Sequence, residues 1–264
     1  MRSLCRCLQN FPRTLLMRSM GTTAPAVSSE QDLSTEEKPL YGTVASHRSY
    51  IFLHSPIPPT KFPSRMTTTL QRALQLRASK WGGIVNFSWS EGGDDSVDAP
   101  QGATVFSALG GRLDLQNLVL EDVDSVDAVL REHAEGLHPS HPREDTEIHL
   151  YVCTHGERDC RCGDMGQKVV SALKKEVMER GLSADRVRIG EVGHVGGHQY
   201  AANVLVFPHG EWLGRVTPET VPDLLTAVLA SPRRPFTPSD PPLLRNHWRG
   251  RTGLGKEEQV AFFE

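Results

Sequence analysis

The strongest constraint on this chain is a strand that ends in a cysteine. Ile148, Leu150 and Val152 alternate as in a β-strand, and Cys153 closes the run. The next residues read Cys153-Thr-His-Gly-Glu-Arg-Asp-Cys160-Arg-Cys162-Gly163. Gly166–Arg180 follows with Val169, Val170, Leu173, Val177 and Met178 on one helical face, and Gly181 stops it. A second strand, Val187–Val192, then runs into Gly193-His194-Val-Gly-Gly-His198. Adjacent strand ends bring these two loops to one edge of a sheet, so cysteines and histidines far apart in sequence meet in space.

Thiolates and imidazoles are the ligands that zinc and iron–sulfur clusters take, so Cys153, Cys162, His194 and His198 read as the four ligands of a metal centre. The two histidines have the i, i+4 spacing of zinc-binding helices, but Gly193, Gly196 and Gly197 oppose a helix there. A turn that wraps an ion fits better, and glycines let backbone N–H groups approach a bound group. Ordinary surface histidines and inert buried cysteines are the bland alternative. Two pairs on consecutive strand ends outweigh it.

The chain has 264 residues, is 38% hydrophobic and 23% charged, and carries a net charge of -3. That balance suits a globular protein with a real core and gives no basic footprint for nucleic acid. Apolar runs such as Ala202–Phe207 are too short to span a bilayer. Of the five cysteines, Cys5 and Cys7 stand near the start and Cys153, Cys160 and Cys162 stand together. Such clustering favours metal or redox chemistry over a disulfide scaffold.

Residues 1–29 contain Arg2, Arg6, Arg13 and Arg18 and no acidic residue. On a helix, Leu4, Leu8, Phe11 and Leu15 share a face opposite Arg2, Arg6 and Arg13, although Pro12 interrupts it. An amphipathic, arginine-rich, acid-free start is the pattern of a mitochondrial presequence, and the expected localisation is mitochondrial. Cleavage would remove Cys5 and Cys7.

Residues 30–142 read as an N-terminal α/β domain. It has strands at Tyr50–His54 and Gly83–Trp89, a hairpin of Thr104–Leu109 with Arg112–Leu115, and helices at Arg65–Ser79 and Ser125–Glu135, the last capped by Ser125 or Asp124. Residues 143–231 form the second unit. After Val187–Val192 it continues with strand Ala201–Phe207, a short strand Trp212–Val216, and a helix opened by Thr217-Pro218. The expected fold is therefore α/β in two related units, the second with the β-α-β-β-α order of a thioredoxin-like layer. No residue-level repeat accompanies the shared order. Residues 232–264 are a proline-rich strap and a C-terminal tail.

At these motifs the chain resembles the sucrase/ferredoxin-like family, which includes thioredoxin-like ferredoxins of the altered-inheritance-of-mitochondria type. The resemblance rests on Cys153-Thr-His155-Gly-Glu-Arg158-Asp159-Cys-Arg-Cys162-Gly163 with Gly166, on His194-Val-Gly-Gly-His198, and on Trp248-Arg-Gly-Arg with Lys256-Glu-Glu-Gln, in that order. It implies a thioredoxin-like ferredoxin domain and a [2Fe–2S] cluster held by Cys153, Cys162, His194 and His198. Cys160 is an additional cysteine that the ligand pattern does not require, and it leaves open which cysteine pairs with Cys153. Two ferric ions, two sulfides and two thiolates sum to zero charge with neutral imidazoles, so such a centre accepts an electron more readily than a four-cysteine one.

Competing motifs are weaker. Cys153-Thr154-His155 opens like a Rieske box, but the required second histidine is missing after Cys160 and Cys162, so His155 reads as a supporting group. Gly250-x4-Gly255-Lys256 lacks the Ser/Thr of a phosphate loop and has no strand apparent before it. Glu91, Asp94 and Asp95 read as a solvated acidic loop, not as a glycosidase carboxylate pair. Three functions remain. The first is an electron carrier or redox sensor, a redox protein rather than a hydrolase, with unidentified donor and acceptor. The second is a thiol oxidoreductase in which Cys160 and Cys162 form a redox dithiol beside Arg158 and Arg161. The third is a zinc-stabilised interaction module.

Overall fold

The computed structural model describes residues 39–91, 101–137 and 147–264. The presequence, Asp94 and Asp95 lie outside the described residues, as do residues 138–146. Leu40–Glu264 is one compact unit.

Its elements are β1 (Ser49–His54), α1 (Thr69–Ala78), β2 (Gly83–Trp89), β3 (Gln101–Ser107), β4 (Gly111–Leu118) and α2 (Val123–Ala134), then β5 (Ile148–Cys153), α3 (Cys160–Glu179), β6 (Val187–Val192), β7 (Val204–Phe207), β8 (Glu211–Leu213) and α4 (Val221–Ala230). The C-terminal segment adds β9 (Trp248–Arg251) and α5 (Lys256–Ala261). All nine strands join in one mixed sheet, ordered β4-β3-β1-β2-β6-β5-β7-β8-β9. Outward from the middle, each half runs the same way. β1 and β2 are parallel, as are β5 and β6, while β3 and β7 turn antiparallel to β1 and β5. The fold is α/β, the strand order of the second half, β6-β5-β7-β8, is the thioredoxin-like one expected there, and the first half repeats it as β2-β1-β3-β4. Among the described residues the strand pairing that joins the halves is short and antiparallel, Ser88↔Val192 and Trp89↔Glu191.

Side-chain alternation places the layers. Ile51 and Leu53 of β1 pack with Leu74, Ala78 and Leu130 of α1 and α2. Ile148, Leu150 and Val152 of β5 pack with Val169 and Leu173 of α3 and Leu224 and Val228 of α4. The opposite faces share a third core of Tyr50, Phe52, Phe106, Tyr151, Leu205, Phe207 and Trp212. Phe52 of β1 stacks on Tyr151 of β5 at 4.1 Å, and Phe106 of β3 on Phe207 of β7 at 4.3 Å. In a flat sheet three strand spacings, about 14 Å, would separate β1 from β5. The sheet therefore folds on itself at the β2–β6 seam. The two halves face each other across an aromatic layer, with α1 and α2 outside one and α3 and α4 outside the other.

Several expectations need correcting. Thr68 caps α1, accepting from the Gln71 N–H at 3.1 Å, so that helix starts later than Arg65. A 3-10 turn at Leu120–Asp122 leads directly into α2, which starts at Val123, so neither Asp124 nor Ser125 is its cap. β7 is shorter than Ala201–Phe207, and the Trp212 strand is shifted to Glu211–Leu213. The C-terminal tail is built into the sheet. Arg251 of β9 is fully buried, forms an ion pair with buried Glu211, and donates to the carbonyls of Thr237 and Asp240 at 2.6 and 2.9 Å. That pins the proline-rich strap. β9 also supplies a strand before Gly255-Lys256, against the sequence reading, but a Cβ at Gly250 would lie 2.1 Å from the Gln259 side chain, so no phosphate fits against it.

Candidate metal centre

Cys153 ends β5 on the face turned toward the aromatic layer and is fully buried. α3 begins almost at once. Its cap is Asp159, whose carboxylate accepts from the Arg161 N–H at 3.1 Å, and both Cys160 and Cys162 lie in its first turn. The sequence reading started this helix at Gly166 because Gly163 and Gly166 weaken helical propensity. The packing shows what those glycines do. A Cβ at Gly166 would sit 2.2 Å from the Cys153 carbonyl oxygen, and one at Gly163 would sit 2.7 Å from the Gly156 Cα. The helix backbone lies directly on the strand end, and only glycine permits that approach.

The other loop is set by β6. The Gly193 N–H donates to the Phe87 carbonyl at 3.0 Å across the seam, and a Cβ at Gly193 would meet the Asn86 side chain at 2.5 Å. Asn86 donates to the Gly193 carbonyl and to the Tyr50 hydroxyl. His155 supports the loop from below. Its Nδ1 accepts from the His194 N–H at 3.4 Å, and its Nε2 donates to the Pro63 carbonyl at 2.9 Å. Gly196 and Gly197 have φ of +83° and +66°, which reverses the chain between the histidines.

The Sγ atoms of Cys153 and Cys162 and a ring nitrogen of His194 all lie within 4.8 Å of one another. Cys162 Sγ is 3.7 Å from His194 Nδ1. His198 stands on the outer side. Its ring stacks on that of His194 at 5.7 Å, it is 49% exposed, and its Nδ1 is 3.8 Å from the Asp159 carboxylate. Cys160 is half-buried and does not belong to the trio, and none of the three cysteines is in a disulfide.

The two thiols are driven apart in acidity. Cys162 donates to Cys153, and His194 and the Val195 N–H donate as well, which holds Cys153 well below the usual thiol range against the opposing effect of burial. The hydrogen bond with Cys153, together with burial, pushes Cys162 up. A metal ion bound here would let both sulfurs ionise, and Cys153, Cys162 and His194 are the residues that would hold it. The donor set fits such a group: two buried sulfurs, one already poised as thiolate, a neighbouring imidazole, a second imidazole at the mouth, and a backbone N–H aimed at sulfur. The competing carboxylate reading gains nothing, since Glu91 is exposed and forms an ion pair with Lys174. Sequence reasoning missed Asn86 and Tyr50, because both come from the other half of the chain.

A family model described as sucrase/ferredoxin-like matches residues 40–250. An altered inheritance of mitochondria protein 32 from Debaryomyces hansenii is 44% identical over 77 residues, which is 27% of each chain. One from Clavispora lusitaniae is 30% identical over 118 residues, 42% of this chain and 39% of the relative. The actin patches distal protein 1 of Saccharomyces cerevisiae is 35% identical over 100 residues, 34% of this chain and 31% of that one. These matches span well under half of the relatives' own length. Among solved structures, a thioredoxin-like [2Fe-2S] ferredoxin from Aquifex aeolicus is similar at 20% identity and a TM-score of 0.27, covering 31% of this chain and 80% of the other.

Proposed function

We propose that this chain, which belongs to the sucrase/ferredoxin-like family, is a mitochondrial [2Fe–2S] protein that transfers single electrons or senses redox state. Cys153, Cys162, His194 and His198 are its ligands in this reading, within a thioredoxin-like ferredoxin unit at residues 143–231. The observation that carries it is the convergence of two buried sulfurs and His194 within 4.8 Å, with His198 stacked against His194. Relatives named for the inheritance of mitochondria, together with the acid-free arginine-rich start, support the compartment. Among the described residues no helix is long and apolar enough to cross a membrane.

When bound, the cluster would accept and release one electron. The chain's own residues set the conditions. Burial of Cys153 and Cys162 excludes water from the sulfur side, while half-exposed His194 and exposed His198 leave the imidazole side open to a partner. The Val195 N–H donates to sulfur, and His155 orients the histidine loop. The dithiol reading has less support, because Cys162 sulfur faces Cys153 and His194.

The test is anaerobic purification followed by absorption and electron paramagnetic resonance spectroscopy. A coloured protein with a reducible signal is expected, lost in Cys153→Ser and Cys162→Ser and kept in Cys160→Ser. A colourless protein with one zinc per chain overturns the reading. Loss in Cys160→Ser with retention in Cys162→Ser reverses the cysteine assignment.

A further inference from the structure

Two arginines of β9 are buried, and they are treated differently. Arg251 has a carboxylate partner, buried Glu211. Arg249, 3% exposed, has only neutral ones. Its Nη1 donates to the Asn203 side-chain oxygen at 2.7 Å and to the Gly196 carbonyl at 3.4 Å. Its Nε donates to the Thr43 hydroxyl at 3.1 Å and its Nη2 to the Thr43 carbonyl at 3.2 Å. Its guanidinium also lies over the Tyr200 ring, 5.0 Å from the centroid. No acidic residue touches it among the described residues.

A buried guanidinium without a counter-charge costs several kcal/mol in general, and a centre that turns negative on reduction would recover part of that cost. The fold makes room for the guanidinium deliberately. A Cβ at Gly197 would sit 2.4 Å from Nη2, and one at Gly214 would sit 2.7 Å from Cδ. One of the glycines between the histidines is thus also the seat of the guanidinium. Burial lowers the Arg249 pKa to about 10, which leaves it a cation at neutral pH, and the acidic groups whose charge it feels are Tyr200, Cys153 and Cys162.

We propose that Arg249 is a positioning residue of the metal centre, a fixed positive charge that favours the reduced, negatively charged state of a centre that is neutral when oxidised, and a clamp on the Gly196-Gly197 loop between the two histidines. The proposal rests on the [2Fe–2S] reading above. It has two separable parts. The charge favours the reduced, more negative state and so raises the midpoint potential. The fork of donors orders the loop through the Gly196 carbonyl and through Asn203, whose amide donates to the Gly197 carbonyl at 3.0 Å.

The experiment is a redox titration of the holoprotein, followed by electron paramagnetic resonance. Arg249→Gln removes the charge. It is expected to shift the oxidised-to-reduced ratio at a given potential at least tenfold toward oxidised, a fall of about 59 mV or more for one electron. Arg249→Lys keeps the charge and loses the fork, so its potential stays near wild type while its resonance lines broaden. Asn203→Asp is a second route that leaves Arg249 in place: an added carboxylate on the guanidinium should lower the potential in the same direction. If Arg249→Gln fails to hold a cluster, Asn203→Asp and Arg249→Lys decide the matter. Unchanged potentials in Asn203→Asp and in any stable Arg249→Gln overturn the proposal, as does an Arg249→Lys potential that falls with the glutamine variant. A wild-type protein without an iron–sulfur signal instead overturns the parent reading, which is a distinguishable result.

Discussion

β1 ends in His54-Ser55-Pro56 where β5 ends in Cys153-Thr154-His155, and the two strands hold the same place in their halves. Phe52 and Tyr151, which stack on each other, are equivalent by register, and His54 stands where Cys153 does. The surroundings then diverge. α3 begins at Cys160, directly after its strand, and runs for 20 residues. α1 begins only at Thr69, after the proline-rich stretch from Pro56 to Pro63, and runs for 10 residues. The longer helix delivers a first turn onto the strand end, and the shorter one does not. At the end of β1 that space is a cavity of about 660 Å³, lined by His54, Thr104, Arg112 and Asp114 of one half and by His149 and Arg188 of the other. His54 lies 3.0 Å from the Thr104 hydroxyl, which donates to Asp114 at 2.8 Å. One frame thus holds a sulfur–imidazole site at one strand end and a neutralised polar network at the other. The difference is made by where the following helix starts, not by the strands.

The largest expected effect tests whether the halves stand or fall together. Phe52→Ala empties the aromatic layer and should cost about 3–5 kcal/mol. Urea unfolding followed through Trp81 and Trp89 of one half and Trp212 and Trp248 of the other should still give one coincident transition. Two separated transitions would break the picture of a shared core.

Helix caps sharpen the contrast. Thr68→Ala and Asp159→Ala each remove a side-chain acceptor at a helix start and should each cost about 1 kcal/mol. Only Asp159→Ala should also weaken metal retention, measured by iron content after dialysis against a chelator. Equal retention in both variants would mean that the start of α3 does not set the site.

The smallest effect concerns pH. Glu147, just before β5, reaches Arg112 of the other half as well as His149 and Arg188. The His149 hydrogen bond is the largest of the effects that hold its carboxyl down at about 2 against an ordinary 4.5. A depressed carboxyl stabilises the fold above its unfolded value, and that contribution is lost as pH falls from about 4.5 toward 2. With partial screening by solvent it is worth about 1 kcal/mol. Glu147→Gln should flatten the acid limb of a stability–pH curve over that window. A limb of unchanged slope would remove Glu147 from the link between the halves.

The chemistry was more legible in the sequence than the packing. Alternation gave β1, β2, β5 and β6 nearly to the residue, because one face of each meets helices and the pattern is purely local. The cysteines and histidines stood out because their spacing on strand ends has no ordinary explanation. What stayed hidden depends on partners far away in the chain. Trp248-Arg-Gly-Arg does not read as a strand, since its two arginines suggest solvent, and only Glu211, Asn203 and Thr43 make their burial possible. The first turn of α3 was masked by glycines that serve contact with Cys153 rather than helix propensity. The facing of the halves follows from rings at Phe52, Phe106, Tyr151 and Phe207, which alternation alone marks only as apolar.

The clamp on the histidine loop joins opposite ends of the described chain. Thr43 precedes β1, Arg249 lies in the last strand, and nearby Tyr41 stacks on Phe263 at 4.2 Å while Gln259 donates to the Val44 carbonyl. Synthesis therefore releases all four candidate ligands before the arginine that steadies them exists. A nascent chain halted short of β9 would lack the guanidinium that holds the Gly196 carbonyl, and the loop between the histidines would go without that clamp. The order of manufacture thus sets an order of assembly: the candidate ligands first, and the arginine that steadies them afterwards.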